Sequence, residues 1–264
     1  TLALAAALLT ASTAMAQVTV HVAPAGEDRN PGTQAKPVRS LERAQALVRA
    51  SNGRDDVTVL LADGTYKLAR PLIFRRADGG LNGKTVEWRA ADGAKPVISS
   101  GIEVTGFASF DAERRIYVAA TPKGLDTRQI WVNGTVAERP WIELRASDVK
   151  FGATGFEITN PKYAYIGKLA RPDRLELEAT GFFTDRYSPV KSISGTNVTM
   201  QQPAWDNNTW GYDTVSKPIF PDDSRLFLVN ALEFIGKTND WHARYHQWVI
   251  EPEAGKLYLR AGID

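Results

Sequence analysis

Thirty carboxylates are spread along the 264 residues, and no spacing among them selects a pair for acid–base work. Glu176 and Glu178, in Arg174-Leu-Glu-Leu-Glu178, alternate with apolar residues and so share one face of a strand. In that pattern the face is expected to be the solvated one, and both acids read as ordinary exposed carboxylates. The densest group of chemically useful side chains is Gln201-Gln-Pro-Ala-Trp-Asp-Asn-Asn-Thr-Trp-Gly-Tyr-Asp213. Trp205, Trp210 and Tyr212 offer flat faces on which a sugar ring stacks, while Asp206, Asn207 and Asn208 suit its hydroxyls. The competing reading is a loop whose aromatics plug a sheet edge and whose Asn and Asp residues make turns. Arg139, just before Pro140, reads by itself as an ordinary surface ion pair, which is usually worth little.

His242 and His246 are four apart, the spacing of zinc-binding helices, but the glutamate that follows the first histidine in such motifs is missing. Trp241, Tyr245 and Trp248 around them favour a strand or loop, so no metal and no other cofactor is expected. His21 alternates with Val20 and Val22 and reads as the polar face of a strand. Asn133, Asn197 and Asn207 each open an acceptor-type Asn-x-Thr triplet, and all three read better as turn residues.

Composition narrows the classes. There is no cysteine, which excludes thiolate chemistry and disulfide staples and leaves stability to a hydrophobic core. The net charge is +2, with the 32 basic residues scattered along the chain. No basic stripe argues for nucleic acid, and no basic amphipathic helix argues for a membrane surface. The apolar run Leu2–Leu9 followed by Ala14-Met-Ala16 reads as the end of a secretory signal peptide, residues 1–16, cut before Gln17. It is shorter than the roughly 18 apolar residues a spanning helix needs. An exported protein, periplasmic or extracellular and of bacterial type, is expected.

Several elements are legible. Val18–Val22 alternates as a strand. Asn30-Pro-Gly-Thr33 supplies turn chemistry. Ser40 is a natural N-cap for a helix whose Leu41, Ala44, Leu47 and Val48 share one face, and Asn52-Gly53 ends it. This is the one helix the pattern supports, and its apolar face is expected to cover the end of a β-stack. Val57–Leu61 is nearly all apolar, as a strand buried on both faces would be. Leu72–Phe74, Thr85–Arg89 and Pro96–Ser100 follow as further short strands between Gly, Asp and Asn corners. The distance from Val59 to Val86, roughly 25 residues, fits a solenoid repeat.

After Ile102 the pattern changes to short alternating strands separated by turn residues, from Ile116–Val118 to Lys256–Leu259. That is the signature of an antiparallel sandwich or barrel. Asn133-Gly134 after Ile130-Trp-Val132 is a strong hairpin signal.

Several segments recur together in a recognisable order: Val20–Leu68 with its strand, turn, helix and Asp63-Gly-Thr-Tyr66 corner, then Ser99–Phe107, Arg128-Gln-Ile-Trp-Val-Asn-Gly134 and Glu138-Arg-Pro-Trp141. Asn230-Ala-Leu-Glu-Phe-Ile235 and Gly255-Lys-Leu-Tyr-Leu259 complete the set. In this order they resemble secreted right-handed parallel β-helix proteins of pectin-lyase-like architecture, of the glycoside hydrolase family 141 type. One departure is Asn239–Trp248, which stands where such proteins carry a Gly-Glu-Trp-Tyr-like element.

The resemblance implies an all-β chain. Residues 17–105 would form the N-terminal cap, with its one α-helix, and the first β-helix coils. Residues 106–264 would form an antiparallel β-sandwich or barrel inserted after them, with the remaining β-helix beyond residue 264. It implies a carbohydrate-active enzyme whose partner is a polysaccharide or oligosaccharide, most often a glycoside hydrolase. Such hydrolysis uses two carboxyl groups, and the resemblance places them mostly downstream, so the catalytic residues are unknown. Arg139 falls where relatives commonly carry an arginine after the Val-Asn-Gly hairpin, and there it would pair with a carboxylate at the interface of the inserted module and the β-helix. Two alternatives stay open: a polysaccharide lyase on the same fold, and a non-catalytic carbohydrate-binding or adhesin scaffold using Trp205 and Trp210. Fold by itself does not separate these.

Overall fold

The computed structural model describes residues 17–221, 224–237 and 245–262. The expected signal segment and His242 lie outside the described residues. The chain is mostly β, with few helices, and divides into two compact units, Thr1–Glu103 and Val104–Asp264.

In the first unit, β1 (Gln17–Val22) leads through a turn-rich segment to α1 (Leu41–Ser51), then β2 (Asp56–Leu61), β3 (Gly64–Lys67), β4 (Val86–Ala90) and β5 (Pro96–Ser99). Ser40 caps α1 as expected, its side chain accepting from the Arg43 amide at 3.1 Å. Leu41, Ala44 and Val48 join Val20, Val22, Val57, Val59 and Leu61 in one core. Burying each Leu or Val here contributes roughly 1.5–3 kcal/mol, so tertiary packing rather than propensity holds this short helix.

Both sheets of this unit are parallel: β2 lies between β1 and β4, and β3 pairs with β5. The register aligns Val57 with Val86 and Val59 with Trp88, not Val59 with Val86 as the sequence spacing suggested. Leu72–Phe74 is not a strand. That stretch belongs to a connection tied to α1: Gln45 Nε2 donates to the Ile73 carbonyl at 2.9 Å, and Arg49 donates from two nitrogens to buried Asp78. Side-chain anchoring there replaces a ladder.

The second unit begins with β6 (Ala108–Asp111) and β7 (Ile116–Ala120), followed by the hairpin β8 (Ile130–Val132) and β9 (Thr135–Ala137). Asn133 and Gly134 have φ of 51° and 84°, the two positive values a type I′ turn demands. Next come β10 (Trp141–Leu144), β11 (Val149–Gly152), β12 (Gly155–Ile158), β13 (Glu176–Thr180), β14 (Asp185–Ser194) and β15 (Asn197–Met200). The chain then forms the six-residue α2 (Ala204–Thr209), β16 (Arg225–Val229), β17 (Gln247–Glu251) and β18 (Lys256–Arg260). Helix α2 corrects the expectation of a loop at 201–213 and of a single helix in the chain.

Seven strands make one curled antiparallel sheet in the order β10-β16-β13-β14-β15-β12-β11. Strand β14 serves both halves: Asp185–Pro189 pair with β13, and from Val190 on, across a bulge at Val190/Ser192, the rest pairs with β15. A bulge bends the strand that carries it. Leu177, Leu228, Val190, Phe156 and Val198 from both halves meet in one core, as the inner faces of a sandwich do. A four-stranded antiparallel sheet, β17-β18-β7-β6, packs around Trp248, Ile250 and Leu257. Among the described residues no helix is long and apolar enough to cross a membrane.

Candidate functional site

The site is built on the outward face of β13. Along that strand Leu177 and Ala179 point into the core, so Glu176, Glu178 and Thr180 alternate outward. Glu176 sits opposite Pro189 of β14 and Val229 of β16, and Glu178 opposite Tyr187 and Phe227. Two long side chains then close over Glu176. Arg128, from the segment before the β8–β9 hairpin, donates to both of its oxygens at 2.7 and 2.9 Å, and Arg139 donates to Oε2.

Arg139 is held in place by its neighbours. The backbone of Glu138 exchanges hydrogen bonds with His246 and Trp248 at 2.8 and 3.0 Å, and the Pro140 carbonyl accepts from Asn230 N at 2.8 Å. Pinned on both sides, the chain presents a guanidinium whose side chain is only 14% exposed, beside a carboxylate that is 15% exposed. The Arg139 pair is thus enclosed rather than an exposed surface pair, and its partner Glu176 belongs to the same unit, not to a carboxylate across an interface with a β-helix. The expectation that Glu176 and Glu178 are solvated acids is corrected. Arginines arriving from positions far away in sequence cover the face.

Beside this pair lies a cleft of about 370 Å³, within the size range of small-ligand pockets. Its wall includes Arg128, Arg139, Arg174, Glu176, Gln201 and Asn230, with Asp126 and Asp173 at the rim. Arg174, at the end of a 3₁₀ turn, donates to both oxygens of Asp126 at 3.0 and 2.9 Å. Arg171 makes the same two-point contact with Asp173 at 3.0 and 2.8 Å. Fork-to-carboxylate pairs of this kind are strong and geometrically specific. Asn230, buried and at a positive φ of 77°, donates from Nδ2 to the Arg174 carbonyl at 2.7 Å. Its Oδ1 and Arg174 Nε are buried without a protein partner.

These contacts set the ionisation of the wall. Burial pushes the Glu176 carboxyl up, but the hydrogen bonds and charges of Arg128 and Arg139 outweigh it and hold it below the ordinary value. The hydrogen bond from Arg174 does the same for Asp126. Glu178 goes the other way. Its burial raises it, a hydrogen bond from the Tyr187 hydroxyl offsets part of this, and the Asp185 charge adds to it. Arg128 also lies over the Tyr187 ring, 4.9 Å from its centroid. The wall thus presents paired, ionised groups with one raised carboxyl beyond them. Among the described residues no group of His, Asp or Glu could hold a metal ion.

The aromatic segment does not gather into a single site. Trp205 is 1% exposed and packs against Phe151 and Phe156, its indole donating to the Gly152 carbonyl at 3.3 Å. A buried face cannot stack on a sugar, so Trp205 is a core residue. Asp206 and Gln202 bond one another, and Asn208 donates to the Tyr187 carbonyl and Ser188 Oγ at 3.0 and 2.8 Å. Asn207 is exposed, and its carbonyl accepts from Arg186. Trp210 and Tyr212 do reach solvent, at 81% and 69% exposure. Tyr212 stacks 6.1 Å from Phe183, which with Phe182 and Phe220 forms an exposed aromatic patch. Of the residues the sequence proposes as substrate contacts, only Arg139 lines the cleft, together with Glu176, which the sequence reads as an ordinary solvated acid.

Asp126, Arg128, Arg174 and Asn230 escaped sequence reading as site residues. Arg128 and Asn230 stand in motifs that carried the family resemblance, but no local pattern says that they converge.

No protein-family model matches the chain, and no curated protein matches it. Among solved structures, a chain described as a glycoside hydrolase is similar over 91% of this chain, with a TM-score of 0.71 and 22% sequence identity. This chain spans 43% of that one. A second, described as the complex structure of XylC with xylose, matches over 92% of this chain and 32% of its own at a TM-score of 0.34 and 14% identity. The first likeness establishes a shared fold.

Proposed function

We propose that this chain belongs to an exported carbohydrate-active protein, a glycoside hydrolase of parallel β-helix architecture. The first unit would supply its cap and opening coils, and the second an antiparallel module that contacts the polysaccharide. The observation that carries the reading is the fold shared over 91% of the chain with a glycoside hydrolase. The strand pairing of the first unit supports the architecture. Both of its sheets are parallel, and on β5 Val97 and Ile98 are 54% and 56% exposed. Apolar residues on an edge strand are a liability unless something covers them, and a further coil stacked on β4 and β5 would do so. The cleft beside Glu176 supports the carbohydrate assignment, because a small pocket walled by fixed polar groups suits a polyol.

The chain's own groups in this role bind and orient; the acid–base pair that cleaves the glycosidic bond is assigned to the β-helix. The test is to assay the natural full-length polypeptide on a panel of polysaccharides, following both new reducing ends and unsaturated uronate absorbance. Reducing ends without unsaturated product are expected. Unsaturated product would replace hydrolase by lyase, and silence in both readouts across the panel would sink the enzyme reading.

A further inference from the structure

We propose that the cleft walled by Arg128, Arg139, Arg174, Glu176, Gln201 and Asn230 is a subsite for one uncharged sugar unit, and that it rejects uronic acids. The inference rests on the carbohydrate reading above and adds the charge class of the sugar. Three arginines and three carboxylates line the cleft, and the arginines are already engaged. Arg128 and Arg139 hold Glu176, and Arg174 holds Asp126. A uronate would have to prise one guanidinium away and leave a protein carboxylate uncompensated beside its own negative charge, which a partly dry site penalises.

A neutral sugar meets no such conflict. Each hydroxyl both donates and accepts, and a carboxylate held by one guanidinium keeps lone pairs for further donors. Asp126 and Asp173 are half exposed at the rim, with side chains at 50% in each case, and Arg128 is 56% exposed, so all three are reachable. Of the lining residues, Asn230 Oδ1 and Arg174 Nε are buried and lack partners in the protein. One is an acceptor and the other a donor on neighbouring groups. Size agrees: about 370 Å³ holds one sugar unit with its bridging water, not an extended chain.

The test is calorimetric titration of the full-length protein with cellohexaose, mannohexaose, xylohexaose and hexagalacturonate, repeated on Gln201→Ala and Arg128→Ala. Both are exposed positions, so circular dichroism and melting curves should confirm that the variants fold. The expected result is binding of at least one neutral hexasaccharide, weakened about tenfold in each variant, with no heat from hexagalacturonate. Unchanged neutral-sugar affinity in both folded variants would remove the subsite and leave the carbohydrate reading standing. Salt-sensitive binding of hexagalacturonate in preference to the neutral sugars would overturn the charge class alone. No binding of any of the four by the wild-type protein would overturn both.

Discussion

Glu176 and Glu178 share one face of β13, yet the fold drives their carboxyls in opposite directions, Glu176 below the ordinary value of 4.5 and Glu178 above it. The difference lies in who covers them. Two guanidiniums close on Glu176, whereas Glu178 is half-buried with a tyrosine hydroxyl and a second acid nearby.

Stability should therefore depend on these residues with opposite sign. Glu176 titrates lower in the fold than in the unfolded chain, so its contribution is present above about pH 4.5 and disappears as pH falls through its folded value. Glu178 titrates higher, so its contribution is present below about pH 4.5 and is lost as pH rises through its folded value. Urea unfolding of Glu176→Gln at pH 7 should show a loss of about 1–2 kcal/mol, allowing for water around Arg128, and the loss should shrink toward pH 3. Glu178→Gln should be neutral or stabilising at pH 7. Parallel pH profiles for the two variants would contradict the geometry.

Trp205 and Trp210 lie five positions apart and should behave as unrelated residues. Trp205→Ala removes a fully buried ring from the core around Phe151 and Phe156 and should cost about 3–5 kcal/mol. Trp210→Ala, at an 81% exposed position, should leave the free energy of urea unfolding within about 0.5 kcal/mol of wild type. Equal losses would mean that α2 is placed wrongly.

Gly181 is required by contact rather than by conformation. A Cβ there would lie 2.4 Å from Asp213 Oδ2, the oxygen that accepts from the Phe183 amide and Thr184 Oγ1 at 3.1 Å. Asp213 Oδ1 accepts from the Ile219 amide at 3.1 Å, so the carboxylate cannot retreat without breaking its other bonds. Gly181→Ala should lower Tm by several degrees, while Gly79→Ala, with open space around it, should not. Thermal melts of the two variants side by side decide the matter.

The β8–β9 turn depends on backbone freedom. Gly134 has a φ of 84°, and nothing lies within 4 Å of the place a Cβ would occupy, so Gly134→Ala tests conformational strain without a clash. A loss of about 1 kcal/mol is expected. Because the hairpin leads directly into Arg139, the same variant should also raise the exchange rate of the Glu138 and Trp248 amides.

Much of the local structure is legible in neighbouring residues. Ser40 caps α1, Asn133-Gly134 turns a hairpin and alternation marks β13 and β15, because each rests on a backbone or side-chain preference acting over a few positions. Leu72–Phe74 shows the limit. Its residues are strand-like, but no partner strand lies beside it, and anchoring by Gln45 and Arg49 decides its course instead. The aromatic segment shows another: Trp205, Asp206, Asn207, Asn208, Trp210 and Tyr212 are adjacent in sequence, yet a short helix sends Trp205 inward and leaves Trp210 outside.

By itself the sequence determined α1 with its Ser40 cap, the Asn133-Gly134 turn, many of the short strands and the change to antiparallel patterning after residue 102. It also determined that Glu176 and Glu178 face the same way. Only the tertiary structure decided that this face is covered, that Arg128 and Arg139 arrive from 48 and 37 residues away to do so, and that Arg174 and Asn230 complete a cleft beside them. The physical reason is range. Propensity, capping and alternation are written in neighbouring residues, whereas burial, charge pairing and the pKa shifts that follow depend on which distant segments the folded core brings together.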